Sequence, residues 1–249
     1  MRAIGKAVVA AVATLSMSVA AQADPAELEQ QGDALYASRG IGTNAQDAIQ
    51  AYQKALAMDS SRSSAYWKTA RGYFWLAMQQ KGQAAEDGFK EAIEYAKLCV
   101  EVNDGDAGCH FWLGASYGKY GEVRGVFQSL YLVPFVMREM ERVIVLDRRF
   151  ESAGADLALG RMYYLIPEGM PGDVKGDRKK AVQHLRMAAT LAPDSALARL
   201  WLGEALIHEG ERDAARPHLQ AVLDGPDPRN AVPEEARAKA SARALLGKL

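Results

Sequence analysis

Apolar residues recur along this 249-residue chain at spacings of three and four, the period of a helix with one buried face. The same set returns five times: a small or apolar residue, another four positions on, and a third three positions later. The sets are Ala48/Tyr52/Ala55, Ala92/Ala96/Cys99, Val136/Met140/Val143, Ala181/Leu185/Ala188 and Ala215/Leu219/Val222. Their last members lie 44, 44, 45 and 34 residues apart, a regularity that chance rarely produces. Ahead of each set runs another helical stretch with a small residue in mid-face, at Gly32, Gly72, Gly114, Gly160 and Gly203. Such residues let paired helices approach closely while Leu, Tyr and Phe fill the space between them. Almost nothing alternates with period two, so strands are not expected. The pattern predicts an all-α chain of about five helical hairpins. One hairpin cannot cover its own apolar face, but a stack can. Glu234 to Leu246, after Pro233, reads as a helix capping the stack.

The segment His110-Phe111-Trp112-Leu113-Gly114-Ala115-Ser116-Tyr117 carries Leu-Gly-x-x-Tyr, part of the first-helix signature W-x2-L-G-x2-Y. Leu159-Gly160-Arg161-Met162-Tyr163 and Leu202-Gly203-Glu204-Ala205-Leu206 repeat it, and degraded copies surround Gly32 and Gly72. Over most of Pro25 to Leu223 the chain therefore resembles the tetratricopeptide repeat family. Pro193 stands where that family ends a repeat; Ser60, Asp104 and Arg148 replace the proline in the first three copies. The resemblance implies a right-handed α-solenoid whose first helices line a concave groove. Its groove-facing positions map to Lys68 and Trp75, to Phe111 and Lys119, to Leu157, Arg161 and Tyr164, and to Glu204 and His208. Aromatics mixed with cations suit an extended or acidic segment of a protein or peptide partner.

Gly114-Ala115-Ser116-Tyr117-Gly118 also matches the G-x-S-x-G of a nucleophile elbow. That elbow needs a strand running into a sharp turn, and the period here is helical, so Ser116 is expected inside a helix. Gly114-x3-Gly118-Lys119-Tyr120 is one residue short of a phosphate loop and lacks its Ser or Thr. The histidines, His110, His184, His208 and His218, have no zinc spacing. Cys109-His110 has no cysteine three residues earlier for haem attachment. The expectation is a non-catalytic protein with no cofactor and no metal.

With 49% hydrophobic and 24% charged residues the chain has the composition of a folded protein. Arg2 and Lys6, an apolar run from Ala7 to Ala20 and Ala21-Gln22-Ala23 form the three parts of a signal peptide over residues 1–23. The apolar run is shorter than the ~20 residues of a membrane span. Residues 24–249 are then one repeat domain, mature from Asp24, and periplasmic or secreted. Without Arg2 and Lys6 the balance is 28 basic to 31 acidic residues, which argues against nucleic acid as a partner. The one dense basic cluster, Lys175 to Lys180, reads as a solvated helix start.

An oxidising compartment permits disulfides, and Cys99 and Cys109 flank a predicted turn at Asp104. A bridge and two buried thiols both fit the sequence. Repeats two, three and four each carry about nine or ten extra residues between their two helices. Gln79 to Gly88 is polar, Leu165 to Asp177 is rich in Pro and Gly, and Val126 to Phe135 carries Phe127, Leu130, Tyr131 and Phe135. The last segment is too apolar to be left in water without reason. It reads either as an extra helix ended by Pro134, or as a hydrophobic site for a partner, a second copy of the chain or a small apolar ligand.

Two families with stretched repeats look closer than the general one. Residues 166–185, IPEGMPGDVKGDRKKAVQHL, resemble the T components of tripartite ATP-independent periplasmic transporters, which associate with solute-binding proteins. CHFWLGASYGKYGEVRG with MERVIVLD is similar to the regulators of microtubule dynamics. The function expected is a periplasmic scaffold for a protein or peptide partner. The alternative is an accessory ligand-binding subunit of a solute uptake system.

Overall fold

The computed structural model describes residues 24–125, 129–168, 175–226 and 233–249. The expected leader, residues 1–23, and Phe127 lie outside them. Among the described residues the regular structure is helical: α1 (Pro25–Ala37), α2 (Asn44–Met58), α3 (Ser63–Met78), α4 (Gly82–Val102), α5 (Ala107–Arg124), α6 (Val133–Asp147), α7 (Phe150–Leu165), α8 (Arg178–Leu191), α9 (Ala196–His208), α10 (Arg212–Asp224) and α11 (Pro233–Leu246), with a 3-10 turn at Leu130–Leu132. No described helix is long and apolar enough to cross a membrane.

Several starts are set by local chemistry. Asp24 accepts from the Ala26 amide and forms a capping box with Glu27 ahead of Pro25; Asp106, Asp177 and Ser195 accept from the Gly108, Lys180 and Ala198 amides in the first turns of α5, α8 and α9. Each bond satisfies a donor that a helix start leaves open. Consecutive helices pair as five hairpins, α1/α2 to α9/α10, and α11 covers the end of the stack against α10 and α9. The first helices of neighbouring hairpins also touch, α3 on α5, α5 on α7 and α7 on α9. They form one row.

All fifteen residues of the five recurring sets are 4% exposed or less. In four hairpins the mid-face glycine of the first helix rests on the middle residue of its own set: Gly32 on Tyr52, Gly114 on Met140, Gly160 on Leu185 and Gly203 on Leu219. Repeat two differs, because Ala96 is too small to fill that space. There Gly72 rests on Ile49 of the preceding hairpin.

Two details depart from the sequence expectation. Pro134 does not end an extra helix; it stands in the first turn of α6, where its missing N–H leaves no bond unmade. Among the described residues the 3-10 turn leads directly into it, with Leu132 buried, and residues 126–128 of the insertion lie outside them. The polar insertion Gln79–Gly88 mostly extends α4 at its start, and Gly88 lies against Ala77 of α3. Ser116 is fully buried in mid-α5, and its hydroxyl has no partner among the described residues. No strand or turn presents it as a nucleophile.

Candidate binding groove

Lys68, Arg71 and Trp75 fall on successive turns of α3, so one face of that helix presents all three. Lys68 Nζ lies 2.6 Å from both Glu29 Oε1 and Asp33 Oδ2 on α1, and Arg62 adds a 2.8 Å bond to Glu29. Burial pushes the Glu29 carboxyl up, but the bonds from Lys68 and Arg62 outweigh it and hold the group below its ordinary pKa. These pairs fasten the first two hairpins and occupy Lys68.

Arg71 sits deeper. Its guanidinium is 3.9 Å from the centre of the Tyr36 ring and 5.1 Å from that of Trp67, while the Arg39 guanidinium lies 4.6 Å from the Tyr36 ring centre. Cations over aromatic faces gain from the ring quadrupole. Arg71, Arg39, Tyr36 and Trp75, with Phe74 and Trp112 behind, wall a groove of about 670 Å³. Asp33 and Glu151 approach Arg71 at 3.7 and 3.8 Å.

Glu151 arrives by an unusual route. Phe150 is fixed edge-on to Trp67 at 5.6 Å and against Phe111 at 5.6 Å. The next three residues are left-handed, with φ of 46° at Glu151, 56° at Ser152 and 59° at Ala153. None is glycine, and left-handed backbone costs about 1–2 kcal/mol for each such residue. The turn places Glu151 in the groove wall, where burial raises its pKa and the charges of Arg71 and Arg39 only partly oppose that. Nothing in Glu-Ser-Ala signals such a turn. Arg71 was findable, standing midway between Lys68 and Trp75 on their stripe.

A smaller recess of about 270 Å³ lies at the other end of the row. Arg161 of α7 pairs with Glu204 of α9 at 2.5 Å, and its guanidinium lies 5.0 Å from the Trp201 ring and 5.3 Å from that of Tyr164. Ser241, Ala244 and Leu245 of α11 close the side. The Tyr164 ring meets His208 edge-on at 5.5 Å.

The structure therefore puts Lys68 and Trp75 in one seat and gathers Arg161, Tyr164, Glu204 and His208 at another. Phe111 packs between Trp112 and Phe150, where it also fills the space beside Gly154. Leu157 packs on the core of α8 and α9, and Lys119 pairs with Glu122 at 2.9 Å. In the apolar insertion, Tyr131 is 61% exposed, Phe135 is exposed under the Arg138 guanidinium, and Leu130 is half-buried.

Cys99 and Cys109 form a disulfide with Cα atoms 5.2 Å apart, both residues fully buried. It ties the end of α4 to the start of α5. Two imidazole–carboxylate pairs, His110–Glu139 and His184–Asp156, join α5 to α6 and α7 to α8. Burial pushes Asp156 up, but bonds from His184 and Arg148 hold it below its ordinary range. Both pairs bind helix to helix. Among the described residues no cluster of metal-ligating side chains occurs.

The stacked hairpins with glycine on the middle core residue decide the architecture. The fold is a tetratricopeptide-repeat solenoid. The family model of regulator of microtubule dynamics protein 1-3 matches residues 28–149, which span the first three hairpins. A solved thermophilic tetratricopeptide-repeat protein of Thermus thermophilus, TTC0263, superimposes with a TM-score of 0.63 at 18% identity, over 89% of this chain and 98% of that one. MamA superimposes at 0.50 and 21% identity, over 78% and 92%. MamA 41-end from Desulfovibrio magneticus RS-1 gives 0.51 at 14% identity, over 81% and 95%. No curated protein sequence matches the chain.

Proposed function

We propose that this tetratricopeptide-repeat solenoid is a non-catalytic periplasmic scaffold that grips a protein or peptide partner in the groove of its first helices. The observation that carries this is the N-terminal groove itself. It is open, lined by rigid helices, and combines guanidinium groups with large aromatic rings, the residue types that dominate binding energy at protein interfaces. A scaffold of packed helices presents such groups with little reorganisation on binding.

A ligand-enclosing subunit of an uptake system would need a chamber closed by the inserted segments. The larger space is instead an open groove walled by α1, α3, α5 and α7, which favours the scaffold. The signal-peptide pattern supports export, and the disulfide suits an oxidising compartment. Cell fractionation tests the location: the mature chain is expected in the periplasmic fraction with Asp24 as its first residue, and a cytoplasmic chain retaining residues 1–23 refutes it. Capture of partners from periplasmic extract, repeated with Trp75→Ala, tests the groove. A partner held equally by parent and variant refutes that site.

A further inference from the structure

Hairpins three and four each close on an imidazole–carboxylate pair, and the two pairs use the same two positions with the partners exchanged. Four residues before the mid-face glycine stand His110 and Asp156; one residue before the middle core residue stand Glu139 and His184. In both pairs the imidazole Nδ1 meets the carboxylate, at 2.6 and 2.8 Å. An arginine, Arg138 or Arg148, donates twice to that carboxylate. The fifth hairpin puts Arg199 and His218 at these positions. It keeps the imidazole and replaces the carboxylate by a guanidinium. His218 Nδ1 is accordingly buried with no partner among the described residues, where buried polar atoms are normally paired.

We propose that His218 makes the fifth hairpin an acid-labile end of the solenoid: the hairpin packs around a neutral ring, and protonation of that ring opens α10 and α11 while the first four hairpins stay closed. A charged imidazole donates from both nitrogens, and here Nδ1 has nothing to donate to. The surroundings offer no acceptor of the right charge. One turn away on α10 are Ala214, Ala215, Ala221 and Val222, and the charged residues of that helix, Arg212, Asp213, Arg216 and Asp224, are exposed. On α9, Arg199 is a second cation, bonded to the Pro193 carbonyl at 2.6 Å, while Glu204 and His208 turn to Arg161 and Tyr164. On α8, Arg186 is a third cation and engages Glu211 at 2.8 Å. α11 meets α10 through Ala238 and Ala242. Burial, then the charges of Arg199 and Arg186, hold the His218 pKa below its ordinary value.

An opened hairpin protonates His218 near the ordinary value of about 6.5 and the closed one resists, so closure loses stability as pH falls through that value. The opening is local for two reasons. A terminal repeat is held by nearest-neighbour contacts on one side, and Pro217 stands inside α10 without an N–H for the Asp213 carbonyl. Hairpin three is built the opposite way, since His110 has Glu139 and the Asp104 carbonyl to receive both of its protons. Opening α10 and α11 uncovers the face of α9 on which Leu219 packs, Leu200 and Gly203 included. It also removes the wall that Ser241, Ala244 and Leu245 give the C-terminal recess. On the scaffold reading above, a partner segment held in that recess is released in acid.

The test is amide hydrogen exchange of the full chain, read peptide by peptide at pH 7.5 and pH 5.5, with intrinsic rates corrected for pH. Protection of α10 and α11 is expected to fall by roughly three-fold to ten-fold in acid, the upper figure being the ceiling for one histidine of ordinary pKa about 6.5 at one unit below it. Helices α1 to α8 should keep theirs. His218→Gln cannot take the proton, so its α10 and α11 should be equally protected at both pH values. Arg199→Asp rebuilds the pair of hairpin four and should reverse the sign, the end becoming firmer at pH 5.5 and the His218 ring titrating above about 6.5 by NMR. If Arg199→Asp does not fold, His218→Gln decides alone. Unchanged protection in the parent, an equal loss in His218→Gln, a loss spread evenly over all hairpins, or a folded Arg199→Asp that loosens in acid as the parent does would each overturn the proposal. The test needs no partner, so its failure leaves the scaffold reading standing.

Discussion

His110 and Glu139 meet inside the stack, Nδ1 to Oε2 at 2.6 Å, with side chains 5% and 8% exposed. On the other side of the ring, Nε2 lies 2.9 Å from the backbone carbonyl of Asp104. A carboxylate and a carbonyl both accept, so both nitrogens donate, and the ring carries both N–H protons and a positive charge. Burial pulls the His110 pKa down, but the bonds to Glu139 and Asp104 outweigh it and leave the pKa above its ordinary value. A raised folded pKa gives stability that is full below about 6.5, the unfolded value, and is lost as pH rises through the folded value.

Through His110 the melting temperature should therefore fall as pH rises through the raised folded pKa. His218 runs the other way, its pKa lowered by burial and then by Arg199 and Arg186, so its contribution is lost as pH falls through the ordinary histidine value. The measurement is thus a comparison of parent and His110→Gln from pH 5 to 9. The variant should lose about 1–3 kcal/mol at pH 6, and the gap should shrink by pH 9. A gap constant across that range would show that the ring is not charged in the fold.

The Cys99–Cys109 bridge closes a short loop, sequence separation 10, for which chain entropy gives about 2–3 kcal/mol. Replacing both cysteines with serine should lower urea stability by that amount. Because both residues are fully buried, thiol-reactive dyes should find nothing in the native oxidised protein and two thiols after denaturation with reductant. Two reactive thiols in denatured, unreduced protein would disprove the bridge.

Glycines in this solenoid should respond to alanine with opposite signs. A Cβ on Gly160 would lie 2.6 Å from Leu185 Cγ and 3.1 Å from the Leu185 backbone nitrogen. The backbone cannot step aside, so Gly160→Ala should cost about 1–3 kcal/mol. A Cβ on Gly118, in mid-α5, would meet nothing nearer than Val136 Cγ1 at 4.0 Å. Gly118→Ala should stabilise by about 0.5–1 kcal/mol through helix propensity. Thermal melts of both variants check the pair, and equal signs would contradict the packing described.

The difference between Gly160 and Gly118 marks what the sequence makes legible. A core position repeats, because each hairpin buries its face against the next in the same way, so the fifteen set residues and the five glycine positions stand out from the sequence alone. A groove position answers to a partner and need not repeat. The tetratricopeptide positions found Lys68 and Trp75, and Arg161 with Glu204, but they also picked Phe111 and Leu157, which this chain uses for packing between repeats. Tyr36 and Arg39 enter the groove from the end of α1, off the repeating stripe. Glu151 enters through a left-handed turn that no residue preference announces. Pro134 fits a helix end and a first turn alike in sequence, and packing decides for the first turn of α6.

The two seats and the exposed insertion can be separated by substitution. Trp75→Ala removes an aromatic wall of the N-terminal groove and Arg161→Glu breaks the pair with Glu204 in the C-terminal recess. Each residue is only partly buried, so the melting temperature should change little. Where the partner spans the row of first helices, each change should weaken it by about 1–3 kcal/mol, the cost of an anchor residue. Changes in seats this far apart on different hairpins should add, because they share no contacts. Tyr131→Ser and Phe135→Ser alter the apolar insertion instead and should leave affinity within about 0.5 kcal/mol. Calorimetry with a captured, purified partner decides. Loss of binding in the Tyr131 and Phe135 variants, with Trp75→Ala and Arg161→Glu as tight as the parent, would move the partner from the groove to the insertion.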